Sequence, residues 1–193
     1  MGAGGGSDGS EGDAPSVAAR DDLAGVVDLF EWLTREELSR ALSELAFKKR
    51  AEVDEAAIDA AIDVAVAEYA LVPAPPAALS EAEAGGDPEG VADPDDGIDA
   101  DAVALAVGPA AFPSLPDGAE DLPHILDVPD RDVDREALSE AVVERLSADA
   151  VAAIGSGDAD RLEVLADVTY DIEAWAPVDA GDIRERIVAE LDA

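Results

Sequence analysis

Residues 23–72 constrain the fold more than any other stretch, because three amphipathic patterns follow one another there in close succession. Apolar residues recur at helical spacing in residues 23–33, again after Thr34, and a third time from about Asp54. Thr34 and Glu37 have the spacing of a capping box, which predicts that the second helix begins directly after Thr34. Short helices with one apolar face each need a common partner, so the sequence predicts that all three share one core.

The end of this stretch predicts a β-hairpin. Residues 70–73 form a short apolar run that ends in a proline, which is typical of a strand or its end. Residues 103–107 form a second apolar run, and we expect the two runs to pair as strands. The connection between them, residues 73–101, carries nine acidic residues and no basic ones, which indicates a flexible acidic loop. Three helices followed by a hairpin are the elements of a winged-helix-like unit.

The rest of the chain is predicted to add a second group of helices. Residues 1–20 are rich in Gly, Ser and Asp and lack periodicity, which predicts a disordered tail. The winged-helix-like unit occupies residues 21–109, and an extended, proline-rich strap, residues 110–133, is expected to lie across its surface. Residues 134–193 show three further helical patterns. The predicted fold class is α+β and mainly helical, with a winged-helix-like N-terminal three-helix unit, a short β-hairpin and a C-terminal helical subdomain.

The charge balance is extreme, with 47 acidic residues against 12 basic ones and a formal net charge of −35. A charge of this size usually indicates disorder or a basic partner. Here the carboxylates are spread over helices with clean apolar faces, cysteine is absent and lysine occurs only twice. This combination is typical of a halophile with molar salt in its cytoplasm, where a Debye length of about 3 Å screens most of the self-repulsion. Net charge therefore argues neither for nor against a nucleic-acid partner.

Several classes of protein are not expected. No apolar run approaches the roughly 20 residues of a membrane span, and no secretory leader opens the chain, so we expect a cytoplasmic protein without a membrane partner. The sequence has no Gly-rich phosphate loop and no nucleophile elbow. It therefore predicts no catalytic residue, no cofactor and no metal, and the chain is interpreted as a protein other than an enzyme.

The main candidate site is a group of basic residues on the second helix. Lys48, Lys49 and Arg50 are consecutive and include both lysines of the chain, and Arg35 and Arg40 precede them on the same helix. One interpretation is a patch that contacts nucleic-acid phosphates or a protein partner. The other is that cations near the C-terminus of a helix stabilise that helix.

The third helix argues against base-specific DNA recognition. Its outer face presents Asp59, Asp63 and Glu68. Base-edge readout in the major groove instead uses Arg, Lys, Asn or Gln side chains. Specific recognition of DNA by this helix is therefore not expected.

Three further groups each have a functional and a structural interpretation. An acidic cluster could ligate a hard cation, but its spacing does not fit an EF-hand and a solvated loop is the preferred interpretation. His124, the only histidine, is interpreted as a packed or partly exposed imidazole rather than a catalytic base. An aromatic group near Pro177 could bind a partner, although we expect it to belong to the C-terminal core. The acidic cluster comprises Asp93, Asp95, Asp96, Asp99 and Asp101, and the aromatic group comprises Tyr170, Glu173 and Trp175.

Four segments resemble a known family: residues 23–30 (LAGVVDLF), 33–38 (LTREEL), 108–113 (GPAAFP) and 122–129 (LPHILDVP). Together they are similar to a family of uncharacterised proteins from halophilic archaea, over about residues 21–193. The resemblance implies a haloarchaeal origin. It implies no activity, so it assigns no catalytic or binding residue to this chain.

The sequence favours a non-enzymatic cytoplasmic module that binds another protein or itself, in a regulatory role. The alternative is a winged-helix transcriptional regulator that binds nucleic acid through the basic residues of the second helix. A third interpretation, an enzyme that uses carboxylate chemistry, lacks a paired-acid motif that stands out from the acidic background.

Overall fold

A computed structural model describes residues 17–50, 54–81, 88, 90–96 and 99–193, which form seven α-helices and five short strands. The predicted fold class, a mainly helical α+β protein, is confirmed. The helices are α1 (Val17–Asp28), α2 (Arg35–Lys48), α3 (Glu55–Ala67), α4 (Leu122–Ile125), α5 (Arg135–Ser156), α6 (Ala159–Trp175) and α7 (Gly181–Leu191). The strands are β1 (Trp32–Thr34), β2 (Leu71–Ala74), β3 (Leu79–Glu81), β4 (Ala104–Val107) and β5 (Arg131–Val133).

The first helix ends earlier than predicted. The pattern in residues 23–33 predicts a helix to the end of that range, but α1 stops at Asp28 and Glu31 adopts a left-handed backbone with φ of 66°. This turn leads into β1, where Trp32 and Leu33 are fully buried. The prediction was wrong here because Leu33 has helical spacing from α1, and only the turn at Glu31 removes it from that helix.

The predicted tail, residues 1–20, is too long. Residues 17–20 belong to α1, and residues 1–16 lie outside the described residues.

The predicted starts of α2 and α3 are confirmed. The Glu37 amide donates to Thr34 Oγ1 over 3.2 Å, and the Thr34 amide donates to Glu37 Oε2 over 2.8 Å, so the capping box is complete. Asp54 caps α3 by accepting a hydrogen bond from the Ala57 amide over 3.2 Å. Each cap satisfies backbone N–H groups that have no partner within the helix.

β4 lies at the centre of a three-stranded antiparallel sheet with the order β1–β4–β2. The predicted pairing of the two apolar runs is confirmed, since Leu71 lies opposite Val107 and Ala74 lies opposite Ala104. On the other edge of β4, Trp32 lies opposite Ala106. In chain order the helices and strands of this region are α1, β1, α2, α3, β2, β3 and β4.

The two faces of this sheet pack against different groups of helices, because successive side chains in a strand point in opposite directions. Leu33, Leu71 and Leu105 belong to the core formed with α1, α2 and α3. Trp32, Val72, Ala74, Ala104 and Ala106 belong to the core formed with α5, α6 and α7. The N-terminal and C-terminal groups of helices therefore share one sheet, which lies between them.

Two predicted irregular regions contain regular structure. Within the predicted acidic loop, residues 73–101, Leu79–Glu81 form β3, while residues 82–87, 89, 97 and 98 lie outside the described residues. Within the predicted strap, residues 110–133, the chain forms α4 and β5, and β5 pairs with β3. The expected extended conformation is therefore wrong for part of the strap, which instead contributes the buried Ala119, Leu122 and Leu126 to the core of the N-terminal helices.

The C-terminal helices follow their predicted patterns closely. Asp134 and Asp158 cap α5 and α6 by accepting hydrogen bonds from amides of the first turn. Asp179 accepts from the Gly181 amide over 2.8 Å, one residue before the position that caps α7. Val151 and Leu191 are exceptions, because both lie at apolar positions of these helical patterns and both are exposed.

Gly25 in α1 is the point where the strap crosses the helix most closely. A Cβ atom at Gly25 would lie 2.0 Å from the Ser114 carbonyl oxygen, and the Ser114 amide donates to the Asp21 carbonyl oxygen over 3.0 Å. We expect Gly25→Ala to lower the free energy of unfolding by about 2 kcal/mol, because backbone atoms must shift. Gly155→Ala is the matched control: it has open space, and alanine favours the helix by about 1 kcal/mol. Denaturant unfolding of both variants measures this contrast, and a Gly25→Ala variant as stable as the parent would contradict the close crossing.

Candidate functional site

The structure divides the predicted basic patch into residues that bind within the chain and residues that face solvent. Arg35 pairs with Asp63 over 2.8 Å and lies 3.9 Å from Asp59, so it joins α2 to α3. Arg40 donates to the Leu126 carbonyl oxygen over 3.0 Å and holds the end of α4. Both arginines are thus engaged in positioning neighbouring elements.

At the C-terminus of α2 the lysines differ from each other. Lys48 donates to Asp121 over 3.1 Å and to the Gly118 carbonyl oxygen over 3.3 Å. Lys49 and Arg50 are exposed, and neither side chain forms a hydrogen bond or ion pair with another residue that the structure describes. Of the five residues of the predicted patch, Lys49 and Arg50 therefore form the accessible cationic surface.

The outer face of α3 is acidic, and three of its carboxylates are paired within the chain. Arg35 engages Asp59 and Asp63, and Arg20 forms an ion pair with Glu68. Arginine and lysine donors are absent from α3 itself, which the structure describes in full. A helix with this surface repels a phosphate backbone and offers no donors to base edges.

An open cleft of about 450 Å³ lies where α1, α2 and α3 meet, and we call it the three-helix cleft. This volume falls within the range of small-ligand and side-chain binding sites. Its walls are largely apolar, with Asp22, Lys49 and Asp54 as the charged lining residues. The apolar lining comprises Ala19, Leu23, Leu42, Leu45, Ala46, Ala57, Ile58, Ala61 and Pro116.

The three-helix cleft brings Lys49 of the predicted patch together with apolar side chains that sequence reasoning assigned only to a core. Leu42 and Ile58 are partly buried, and both lie at inward positions of their helical patterns. The sequence signal was present but ambiguous, because an inward apolar residue lines either a closed core or an open cleft. Residues 51–53, between α2 and α3 in the sequence, lie outside the described residues.

A second group of contacts, the Arg131 junction, joins the strap to the N-terminal unit. The Arg131 guanidinium lies 3.7 Å from the centroid of the Trp32 ring and donates to both carboxylate oxygens of Glu37 over 2.8 Å. It also lies 3.6 Å from Glu81 and donates to the Trp32 carbonyl oxygen over 3.1 Å. The Arg131 side chain is only 5% exposed. This arrangement combines a bidentate ion pair with cation–π stacking at a position that is largely shielded from solvent.

The Arg131 junction changes the acidity of Glu37. Burial raises the pKa of the Glu37 carboxyl, but hydrogen bonds from Arg131 and from the Thr34 amide outweigh burial and hold this pKa below its ordinary value. Glu37 thus serves both the cap of α2 and the ion pair with β5.

A third group, the Tyr69 junction, joins α3 to the C-terminal helices. The Tyr69 hydroxyl donates to Asp149 over 2.8 Å, and Arg161 pairs with the same carboxylate oxygen over 2.8 Å. The Arg145 guanidinium lies 4.4 Å from the Tyr69 ring centroid and donates to the Val66 carbonyl oxygen over 2.7 Å. Burial raises the pKa of the Tyr69 hydroxyl, and the neighbouring Asp149 carboxylate raises this pKa further. The hydroxyl therefore stays a donor over the ordinary pH range.

A second cavity, of about 470 Å³, lies between the end of β2, residues 93–95 and α5. Pro73, Pro75 and Val142 form part of its wall, and Arg145 of the Tyr69 junction lies at its edge with Asp93, Asp95 and Glu144. No nucleophile and base are paired among these lining residues.

The structure also shows where the acidic cluster, His124 and the aromatic group lie. In the described part of the acidic cluster, Asp93 and Asp99 accept hydrogen bonds from backbone amides two residues on. Across the described residues, no group of three or more His, Asp or Glu side chains is placed to hold a metal ion. His124 is exposed on α4. Of the aromatic group, Trp175 packs against the C-terminal core, whereas Tyr170 is 58% exposed and stacks on Arg184.

The fold and its contacts define a mainly helical α+β protein in which two groups of helices share a central sheet and a cleft opens among the N-terminal helices. The chain belongs to a family of unknown function, DUF7109, whose profile matches residues 21–192. The resemblance to an uncharacterised family is confirmed to this extent. No curated protein and no solved structure matches the chain. Among the helices that the structure describes, none is long and apolar enough to cross a membrane.

Proposed function

We propose that this protein is a non-enzymatic, cytoplasmic protein-interaction module of a halophile, with a regulatory role, and that its partner docks in the three-helix cleft. The observation that supports docking is the cleft itself: about 450 Å³ of largely apolar, open space on the outside of a packed three-helix unit. An apolar groove between helices is a recurrent binding site for an amphipathic helix of a partner. The halophilic origin rests on the net charge of −35 and on the scarcity of lysine.

Exposed aromatic side chains support the same proposal. Phe47 is 76% exposed and Phe112 is 79% exposed, although the chain contains only three phenylalanines. Large apolar side chains on a surface are enriched where proteins interact. Phe47 belongs to α2, which also forms one wall of the three-helix cleft.

The second candidate function is a nucleic-acid-binding transcriptional regulator, and it is supported by the order of the elements. A helix-turn-helix protein reads DNA with its second helix of the pair, which would be α3 here. Because the outer face of α3 carries Asp59 and Asp63, this candidate depends on Lys48, Lys49 and Arg50 as phosphate contacts. The interaction module needs no such contact, and we therefore prefer it.

Affinity capture of the tagged chain distinguishes the two functions. The lysate of the source organism is kept in molar potassium chloride and divided into samples with and without nuclease. We expect a protein partner in stoichiometric amount that survives nuclease, because docking in an apolar cleft does not require nucleic acid. DNA enriched at a few loci and lost with the Lys48→Glu and Lys49→Glu changes together would instead support the regulator and contradict the interaction module.

A further inference from the structure

We infer that the occupant of the three-helix cleft is an amphipathic helix of a partner protein that carries carboxylates at one end of its apolar stripe. This inference rests on the proposed function, since it names the chemistry of the partner that docks in the same cleft. It follows from the distribution of charge around the cleft together with the shape of the cleft.

Charge is distributed asymmetrically around the rim of the three-helix cleft. Lys49 lines the cleft at the C-terminus of α2, and Arg50 follows it. Both side chains are exposed, and neither is paired with a carboxylate of the described residues. In a chain with 47 acidic residues, two adjacent cations without such a partner form an unusual local surface. A carboxylate of a partner can form an ion pair with Lys49 or Arg50, whereas the acidic surface elsewhere would repel it.

The other charged residues that line the cleft are Asp22 and Asp54. Asp54 is occupied as the cap of α3, where its carboxylate accepts from the Ala57 amide over 3.2 Å. Asp22 lies on α1, on another wall of the cleft. A partner with carboxylates along its whole length would be repelled by Asp22. The carboxylates are therefore expected only at the end of the partner helix that meets Lys49 and Arg50.

The apolar wall of the cleft favours a peptide over a nucleic acid, which is also anionic. The cleft offers Leu42, Leu45 and Ile58 next to the cations, and burial of apolar surface supplies most of the affinity of a helix in a groove. A phosphate backbone has no apolar group to place there. The combination of cations and apolar wall thus favours an acidic amphipathic helix.

Selection from a displayed library of helical peptides tests the inference on the full chain. Each peptide is about four turns long, with fixed apolar positions on one face and randomised residues at both ends of that face. Binding is measured at the lowest potassium chloride concentration at which the chain keeps its folded circular dichroism spectrum, so that screening is limited. Only peptides that lose binding to Ala57→Trp, but keep binding to Ala60→Trp, are counted as cleft binders. Both alanines are exposed residues of α3, and Ala57 lines the cleft whereas Ala60 does not.

We expect the cleft binders to be enriched in Asp and Glu at one end. We also expect Lys49→Glu to weaken them by about fivefold, the size of a partly exposed ion pair. Arg186→Glu makes the same charge change on α7, away from the cleft, and is expected to have a smaller effect. Cleft binders without acidic enrichment, or with Lys and Arg enriched instead, would overturn the inference while leaving docking in the cleft intact. A selection in which no peptide distinguishes Ala57→Trp from Ala60→Trp would contradict docking itself.

Discussion

Replacement of Arg131 by methionine is expected to lower the free energy of unfolding by about 3 kcal/mol. Arg131 is 5% exposed and gives both of its terminal nitrogens to Glu37, which is itself only 23% exposed. Without the guanidinium, Glu37 keeps a carboxylate in a largely buried position with the Thr34 amide as its remaining partner. The stacking of Arg131 on the Trp32 ring is lost as well. Urea unfolding in a constant concentration of potassium chloride measures the difference.

A double-mutant cycle with Glu37→Gln is the control for this prediction. If Arg131 acts mainly through Glu37, the double variant is less destabilised than the sum of the single variants. The pH dependence gives a second readout. Because the folded-state pKa of Glu37 is lowered, its stabilising contribution is present above the ordinary value of 4.5 and is lost as the pH falls through the folded value. The stability difference between the parent and Glu37→Gln should therefore shrink in acid, and a constant difference would contradict the ion pair.

Replacement of Tyr69 by alanine is expected to cost about 4 kcal/mol, the usual effect of removing a fully buried aromatic ring. The ring packs in the core that α5 and α6 form on the sheet, and it carries the Arg145 guanidinium on its face. Its hydroxyl meets the Asp149 carboxylate that Arg161 also binds. Loss of the ring removes packing on the sheet and the contacts that Tyr69 makes with Arg145 of α5 and Asp149 of the same helix.

Two variants separate the contributions at this position. Tyr69→Phe keeps the ring and removes only the hydrogen bond to Asp149, which is expected to cost about 1 kcal/mol. Tyr170→Ala removes the other tyrosine, which is 58% exposed, and should cost less than about 1 kcal/mol. Thermal and denaturant unfolding compare the three variants. A Tyr69→Phe variant as unstable as Tyr69→Ala would show that the hydroxyl, rather than the ring, joins the two groups of helices.

Local signals in the sequence predicted most of the helices and the hairpin. The helix starts at Thr34 and Asp54 were readable from residue type and spacing, and both are confirmed. Asp134 and Asp158 cap α5 and α6 in the same way. The pairing of β2 with β4 was also predictable, because both are short apolar runs bounded by prolines or glycines. These features depend on neighbours within a few residues of the chain.

Features that depend on distant residues were not predictable in the same way. β3 and β5 pair across about fifty residues of sequence, and neither has an alternating pattern long enough to identify a strand. The residues of β1 fit the helical pattern of residues 23–33, and only the left-handed turn at Glu31 separates this strand from α1. Arg131 and Arg145 resemble any surface arginine in the sequence, and only the three-dimensional structure places them on Trp32 and Tyr69.

The candidate site also combines features that the sequence predicted with features that depend on residues distant in sequence. The sequence predicted one patch of five basic residues. In the structure Lys49 and Arg50 are exposed, whereas Arg35, Arg40 and Lys48 bind groups within the chain. Which cations remain accessible depends on the positions of α3, α4 and residues 118–121, which lie far away in sequence. Whether an apolar residue such as Leu42 faces a closed core or an open cleft depends on the angles between helices, which residue spacing does not determine.

The most direct test of the account is capture of the partner with the full chain and with the matched pair Ala57→Trp and Ala60→Trp. Both substitutions place the same large side chain on an exposed position of α3, and only Ala57 lines the three-helix cleft. The account predicts that a stoichiometric protein partner is recovered with the parent chain and with Ala60→Trp, and that recovery falls at least tenfold with Ala57→Trp, about 1.4 kcal/mol of binding free energy. Equal recovery with all three chains, when both variants retain the parent's unfolding midpoint, would show that the partner docks elsewhere and would contradict the central claim.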